Sequence, residues 1–256
     1  MLNKVAIVTG ASQGIGRSTA IRLAKDFSAL VLVARGKEHL QEVAGEVQKT
    51  GAQAIILDID LSGPSAAKKV VEETLKAFGR IDALLNIAGA VPQIDLFEMT
   101  DQQWHDGAEL KLHGARRLAI AAWPSLKESR GSVVFMSGDS AVFPKPAYAA
   151  VATINAAIVA LAKAFSEQGI KDGVQVNSVL PGPIMTNRRR SYLEHWAPLH
   201  KMTVEEATER FPKEAGIARY GQPEEIAELM AFLVSPHAKF MTGSMLRMDG
   251  GEVKTI

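Results

Sequence analysis

Apolar residues along this chain keep two alternating rhythms. Short β-branched runs, Val5-Ala6-Ile7-Val8 first among them, read as buried strands, and stretches with apolar residues three and four apart read as helices. The first strand enters Thr9-Gly10-Ala11-Ser12-Gln13-Gly14-Ile15-Gly16, and a helix follows over Arg17 to Lys25 with Ala20, Leu23 and Ala24 on one face. Further strands are expected at 29–34, 53–57, 81–85, 132–136, 174–179 and 244–248, and helices at 37–49, 64–78, 101–126, 147–168 and 224–233. Residues 187–215 read as irregular with short helices, too long for a plain connection and rich in charge, in the manner of a lid.

Strands and helices that alternate through short connections predict an α/β fold, a doubly wound parallel sheet with helices on both faces. No linker or shift of composition divides the chain, so one domain is expected over 1–256, carrying the lid-like segment at about 187–215. Such a sheet collects its ligand at the carboxyl ends of the strands, where the strand order reverses. Gly10, Asn86, Gly89, Ser137, Pro181 and Gly182 all fall just past strand ends.

The glycine-rich turn carries the first chemical expectation. Gly10 permits the tight turn, Gly14 lets backbone approach a pyrophosphate, and Gly16 lets the helix pack close to the strand. Amides at the helix start, beside Ser12 and Ile15, then face a diphosphate at the positive end of the helix dipole. The end of the second strand should meet the adenosine ribose. There stands Arg35, 19 positions beyond Gly16, with Gly36 after it and no acid expected nearby, which favours NADP(H) over NAD(H); Arg35 as an ordinary solvated cation is the other reading. Asp60-Leu61 is placed to contact the adenine edge, although Asp60 also suits a helix cap.

Composition narrows the classes. Apolar residues make up 47% of 256 and the net charge is +1, so the chain is suited to a large core and not to gripping nucleic acid. Cysteine is absent, which removes disulfide and thiolate chemistry, and with no basic leader or long uninterrupted apolar run the expectation is a cytoplasmic protein away from membranes. His39, His105, His113, His195, His200 and His237 show no metal-ligand spacing. Arg188-Arg189-Arg190 opens the lid segment, where it suits an acidic substrate tail such as a phosphate or carboxylate, although three arginines at a helix start are more often solvated or paired with nearby acids. Trp104, Trp123 and Trp196 read as packing or pocket walls, and Met241, Met245 and Met248 as core around the last strand.

With Thr9-Gly10-x-x-x-Gly14-x-Gly16, Asp60-Leu61, Asn86-x-Ala88-Gly89, Val176-Asn177, Pro181-Gly182-x-x-x-Thr186 and Asp249-Gly250-Gly251 in order, the sequence resembles the classical short-chain dehydrogenases/reductases over essentially its whole length. The resemblance implies a seven-stranded Rossmann-type sheet, a nicotinamide cofactor, and a homodimer or homotetramer built on the two long helices and the last strand. It also implies that Asn86, Ala88 and Gly89 steady the central strand and the adenine-ribose side, and that Pro181, Gly182, Ile184 and Thr186 flank nicotinamide and diphosphate.

The family's catalysis uses a Tyr-x-x-x-Lys pair, a serine before it and an asparagine on the preceding long helix. Counting back 22 positions from Asn177, the family's spacing, places the lysine site at Asn155, the tyrosine site at Val151 and the serine site at Gly138. The helix asparagine becomes Lys111, with Leu112 and Gly114 retained. Lysine and asparagine have traded helices, so Lys111 and Asn155 are expected to meet in one pocket; a solvated Lys111 beside a drifted Asn155 is the bland reading. Tyr148, one helical turn before Val151, and Ser137, Asp139 and Ser140 after the fifth strand are the remaining candidates for proton handling or for meeting a substrate oxygen. The leading expectation is an oxidoreductase moving hydride between NADP(H) and a small alcohol or carbonyl with a rearranged acid-base set. A cofactor-binding sensor or scaffold without turnover, and a non-redox enzyme with Lys111 as base, stand beside it.

Overall fold

The computed structural model describes residues 3–255. Seven strands form one sheet, β1 (Val5–Thr9), β2 (Ala29–Ala34), β3 (Gln53–Asp58), β4 (Ala83–Asn86), β5 (Ser132–Met136), β6 (Gln175–Pro181) and β7 (Met245–Met248). Their order is β3-β2-β1-β4-β5-β6-β7, every neighbouring pair parallel. The order reverses between β1 and β4, in register Ala6 opposite Ala83 and Val8 opposite Leu85. A crevice therefore opens beyond Thr9 and Asn86.

Period-two side chains send alternate residues to opposite cores. Ala6, Val8, Leu30 and Leu32 pack under α1 (Gly14–Leu23), α2 (Lys37–Lys49) and α9 (Pro223–Leu233), while Val5, Ile7, Val31 and Val33 pack under α3 (Ala66–Phe78), α5 (Ala115–Ser129) and α6 (Ala149–Asp172). Both faces of β1 are thus dry, and at about 25 cal/mol per Å² of apolar surface this double burial is the main support of the sheet. Among the described residues Pro146–Asp172 is the one helix long and apolar enough to cross a membrane by length and composition. Here Ala150, Ile154, Ile158 and Ala162 of that stretch are buried.

Two segments depart from the sequence expectation. The helix expected over 101–126 is in fact α4 (Asp101–Ala108), the six residues Glu109–Gly114 wound as a π-helix, and α5. Gly114 accounts for part of this, because a Cβ there would stand 2.7 Å from the Leu61 carbonyl oxygen, so the chain passes at backbone distance. The segment 187–215, expected to be irregular, forms two regular helices, α7 (Asn187–Leu199) and α8 (Val204–Ala215). Their starts are capped: Thr186 accepts from the Arg189 amide and Thr203 shares a reciprocal box with Glu206, and Leu193, Ala197, Ala207 and Tyr220 join them in a small core. Pro64, expected within the first turn of its helix, lies ahead of α3, whose cap is Ser65. Met245, read as core, is 43% exposed on the edge strand β7.

Candidate active site

Gly10 takes φ +65, and a side chain there would stand 3.1 Å from the backbone of Ala88; a Cβ on Gly16 would lie 2.0 Å from the Gly10 carbonyl oxygen. Turn, helix and strand β4 are consequently locked together at backbone distance. Thr9 completes the lock by accepting from the amides of Ile87 (2.8 Å) and Ala88 (3.0 Å). At the start of α1 no side chain caps the helix and no acid stands in its first turn, so its amides remain free for an anion.

A hollow of about 380 Å³ lies over this turn. It gathers Gly10, Ser12, Gln13, Gly14, Ile15, Gly16, Arg35, Asp60, Leu61, Ala88, Gly89 and Thr186 from the sequence expectation. Asn86 lines neither cavity: it is buried in β4, its amide nitrogen without a hydrogen-bond partner among the described residues. An adjoining hollow of about 670 Å³ gathers Pro181, Gly182, Ile184, Lys111, Asn155, Ser137, Tyr148, Val151 and Gly138. Ile15, Gly89, Thr186 and Arg188 belong to both hollows, so the two form one groove across the crevice. The free helix amides, the neighbouring hollows and the glycine approach fit a dinucleotide.

The surroundings of Arg35 are more acidic than its sequence neighbours imply. Asp60 lies 3.5 Å away across an exposed ion pair, and Asp58 accepts from the Gly36 amide at 3.0 Å. The expectation that no acid stands near Arg35 is therefore corrected, because parallel pairing of β2 with β3 sets Ala34 beside Asp58. Asp60 also accepts from the Ser62 amide, and this bond, ahead of the charge of Arg35, holds its carboxyl below the usual range.

In the second hollow Lys111 Nζ donates to Asn155 Oδ1 at 2.5 Å and to the Ser137 carbonyl at 3.1 Å. Two glycines make the room. A Cβ on Gly89 would stand 2.9 Å from Lys111 Cδ, and one on Gly138 would stand 2.6 Å from Asn155 Nδ2. A side chain at 138 would therefore require the Asn155 amide to move from its present place, so the residues at 138 and 155 depend on each other. Burial brings Lys111 down to about 7, and the charge of Arg188 adds to it.

Ser137, expected to face a substrate oxygen, instead donates its hydroxyl to the Asn155 carbonyl at 2.8 Å and ties β5 to α6. Tyr148 faces the hollow, but burial and the neighbouring Glu252 and Asp139 carboxylates push its hydroxyl up to about 12, away from an activated acid. Asp139 faces Glu252. Burial and that contact raise Asp139 to about 8, and its Oδ2 is enclosed with no donor among the described residues. Asp249 builds this pairing: its carboxylate accepts from the amides of Gly251 and Val253, folding the turn that carries Glu252 inward. Nothing in the sequence order announces it.

The arginine run divides. Arg188 donates to the Gly89 carbonyl at 3.4 Å and to that of Val91, crossing the groove, while Arg189 sits over the rings of Tyr192 (5.2 Å) and Phe211 (4.9 Å). Arg190 is exposed, and among the described residues none of the three pairs with an acid. The tryptophans are packing: Trp104 and Trp196 sit against small apolar clusters, and Trp123 lies 5.4 Å from Phe165 and donates to Asp172.

Against known proteins, residues 10–252 match the family described as Enoyl-(Acyl carrier protein) reductase. The chain is 29% identical over 252 residues to 3-oxoacyl-[acyl-carrier-protein] reductase FabG of Staphylococcus aureus, covering 98% of each. It superposes on L-sorbose reductase from Gluconobacter frateurii, solved with NADPH and L-sorbose, at TM-score 0.94 and 31% identity over 99% of this chain and 98% of that one. An NAD+-bound xylitol dehydrogenase matches at TM-score 0.90 and 26% identity, over 97% of this chain and 98% of that one.

Proposed function

The chain belongs to the short-chain dehydrogenase/reductase family, and from that membership we propose that it is an NADP(H)-linked oxidoreductase acting on a small carbonyl or alcohol. The observation that carries the reading is the meeting of Lys111 with Asn155 on the floor of a groove whose other half is built for a dinucleotide. A bound nicotinamide would supply or accept the hydride. Gly14, Ile15 and Gly16 would hold its diphosphate through their amides, Arg35 would take the 2′-phosphate in competition with Asp60, and Pro181, Gly182 and Ile184 would wall the ring side.

Lys111 performs the work that family members assign to a lysine on the following helix. Its ammonium is fixed by two neutral acceptors and is near its titration point at neutral pH, so it both polarises an oxygen and exchanges a proton. Arg188 stands at the junction of the hollows without an acidic partner among the described residues, and this favours substrates that carry an anionic group; Arg189 and Arg190 are not part of that contact. Helices α7 and α8 act as the lid. Ile120 on α5, Ile170 on α6 and Phe232 on α9 are exposed apolar side chains that suit an assembly of two or four copies.

One observation favours a second reading. A lysine brought down to about 7 is also a competent base, which suits a non-redox elimination with the cofactor retained. The deciding experiment titrates the protein with NADPH and NADH, then follows the absorbance of the reduced nicotinamide over ketones and alcohols with and without a carboxylate, alongside Lys111→Asn/Asn155→Lys. Turnover with carboxylate-bearing ketones supports the proposal. Tight cofactor binding with no oxidation or reduction anywhere in the series overturns it in favour of the second reading.

A further inference from the structure

Asn155 joins two groups across the floor of the second hollow. Its Oδ1 accepts from the Lys111 ammonium at 2.5 Å, and its Nδ2 donates to Ser140 Oγ at 2.9 Å. An ammonium has no acceptor to offer, so the amide cannot be turned round without setting N–H against N–H; the direction of the second bond follows from the first. Ser140 is therefore the acceptor of that bond. A hydroxyl has one proton, and no acceptor for the Ser140 proton is found among the described residues.

Ser140 is only 7% exposed, yet it lines the hollow. It sits in the short turn Asp139–Ala141 directly after β5, at the carboxyl edge of the sheet. Two residues earlier no hydroxyl is available, because residue 138 is glycine and the Asn155 amide fills the space beside it. That of Ser137 is spent on the Asn155 carbonyl. A buried O–H that accepts one bond and leaves its proton unspent costs free energy until something in the hollow accepts it.

Building on the functional reading above, we propose that Ser140 is the donor that grips the substrate's carbonyl oxygen, its polarity set by Lys111 acting one way through Asn155. The ligand class this selects is a molecule with a strong oxygen acceptor at the reacting carbon, a ketone or aldehyde that gains charge on that oxygen as hydride arrives. Lys111 has a second task in this arrangement. By occupying Asn155 Oδ1 it prevents that oxygen from capturing the Ser140 proton.

The test has an arm on the protein alone and an arm with turnover. In 15N-labelled protein without cofactor, the Asn155 side-chain NH2 pair, assigned by its loss in Asn155→Asp, is compared in wild type, Ser140→Ala and Lys111→Met. Both substitutions are expected to move that pair while the remaining backbone spectrum stays folded. An Asn155 pair indifferent to Ser140→Ala overturns the chain of bonds. With NADPH and the best ketone of the series, Ser140→Ala should lower kcat about a hundredfold, the usual cost of one donor to a developing oxyanion, with KM changed far less. Because both residues act through one relay, Ser140→Ala/Lys111→Met should be little slower than the worse single variant. Fully multiplicative losses, or an active wild type matched by Ser140→Ala, overturn the proposal alone. A wild type that reduces no ketone overturns the functional reading, and the substrate assigned to Ser140 with it.

Discussion

Lys111→Met keeps the stem that lies over Gly89 and deletes the ammonium, and the structure says how stability should answer. Burial lowers Lys111 from 10.5 to about 7 in the folded protein. Between those values the unfolded chain binds a proton at this residue that the folded chain has released, so wild-type stability rises with pH by about 1.4 kcal/mol per pH unit. Below about 7 both states are charged and the full penalty of burying the charge applies, a ceiling of about 5 kcal/mol. Methionine removes that penalty but strands Asn155 Oδ1 and the Ser137 carbonyl, at about 3 kcal/mol together. The variant should thus be about 2 kcal/mol more stable than wild type at pH 6 and less stable by about 3 kcal/mol near pH 10.5. Urea unfolding followed by circular dichroism from pH 6 to pH 10.5 measures the difference curve. Asp139 titrates with the opposite sign in the folded protein, but it is present in both and cancels. A difference that does not vary with pH would refute the claim that this ammonium is desolvated.

Two further outcomes follow from the groove. Asp139 has its folded pKa raised from 3.8 to about 8 and faces Glu252, Asp249 and Tyr148; the stability this lends is complete below 3.8 and is lost as pH rises through about 8, so Asp139→Asn should gain thermal stability relative to wild type progressively from pH 4 to 8, and a constant Tm difference would contradict it. Arg35→Ala should raise the Kd for NADPH about tenfold with little effect on NADH, whereas Asp60→Asn, by releasing Arg35, should narrow the NADPH Kd in the other direction; isothermal titration giving equal changes for both cofactors would remove Arg35 from the 2′-phosphate site.

The parts legible in sequence were those fixed by local pattern. Alternating apolar runs such as Val5 to Val8, and glycines whose missing side chains permit backbone contact, placed the strands and the turn correctly because a one-residue slip would expose the core. The contact between Lys111 and Asn155 was readable as a pair because each occupies a position with a fixed partner helix. Tertiary neighbours were not readable. Asp58 reaches the Arg35 corner through pairing of adjacent strands, and Glu252 reaches Asp139 through a turn held by Asp249. Arg189 looked interchangeable with Arg188, yet two rings contributed by α7 and α8 draw it aside. The state of the Ser137 and Ser140 hydroxyls depends on which acceptors surround them, and spacing along the chain carries no record of that.

The π-wound turn between α4 and α5 spreads its backbone over one residue more per turn than an α-helix would, and Lys111 lies within it. Removing a single residue from Glu109–Gly114 would let the segment relax to ordinary winding with α4 and α5 keeping their faces, while the residues inside the turn, Lys111 among them, change direction. The ammonium would then sweep off the floor of the cleft although no functional side chain had been altered. Helical register in this stretch is in that sense a component of the proposed chemistry, and shortening it is a route by which a descendant of this chain keeps its fold while losing the Lys111–Asn155 contact.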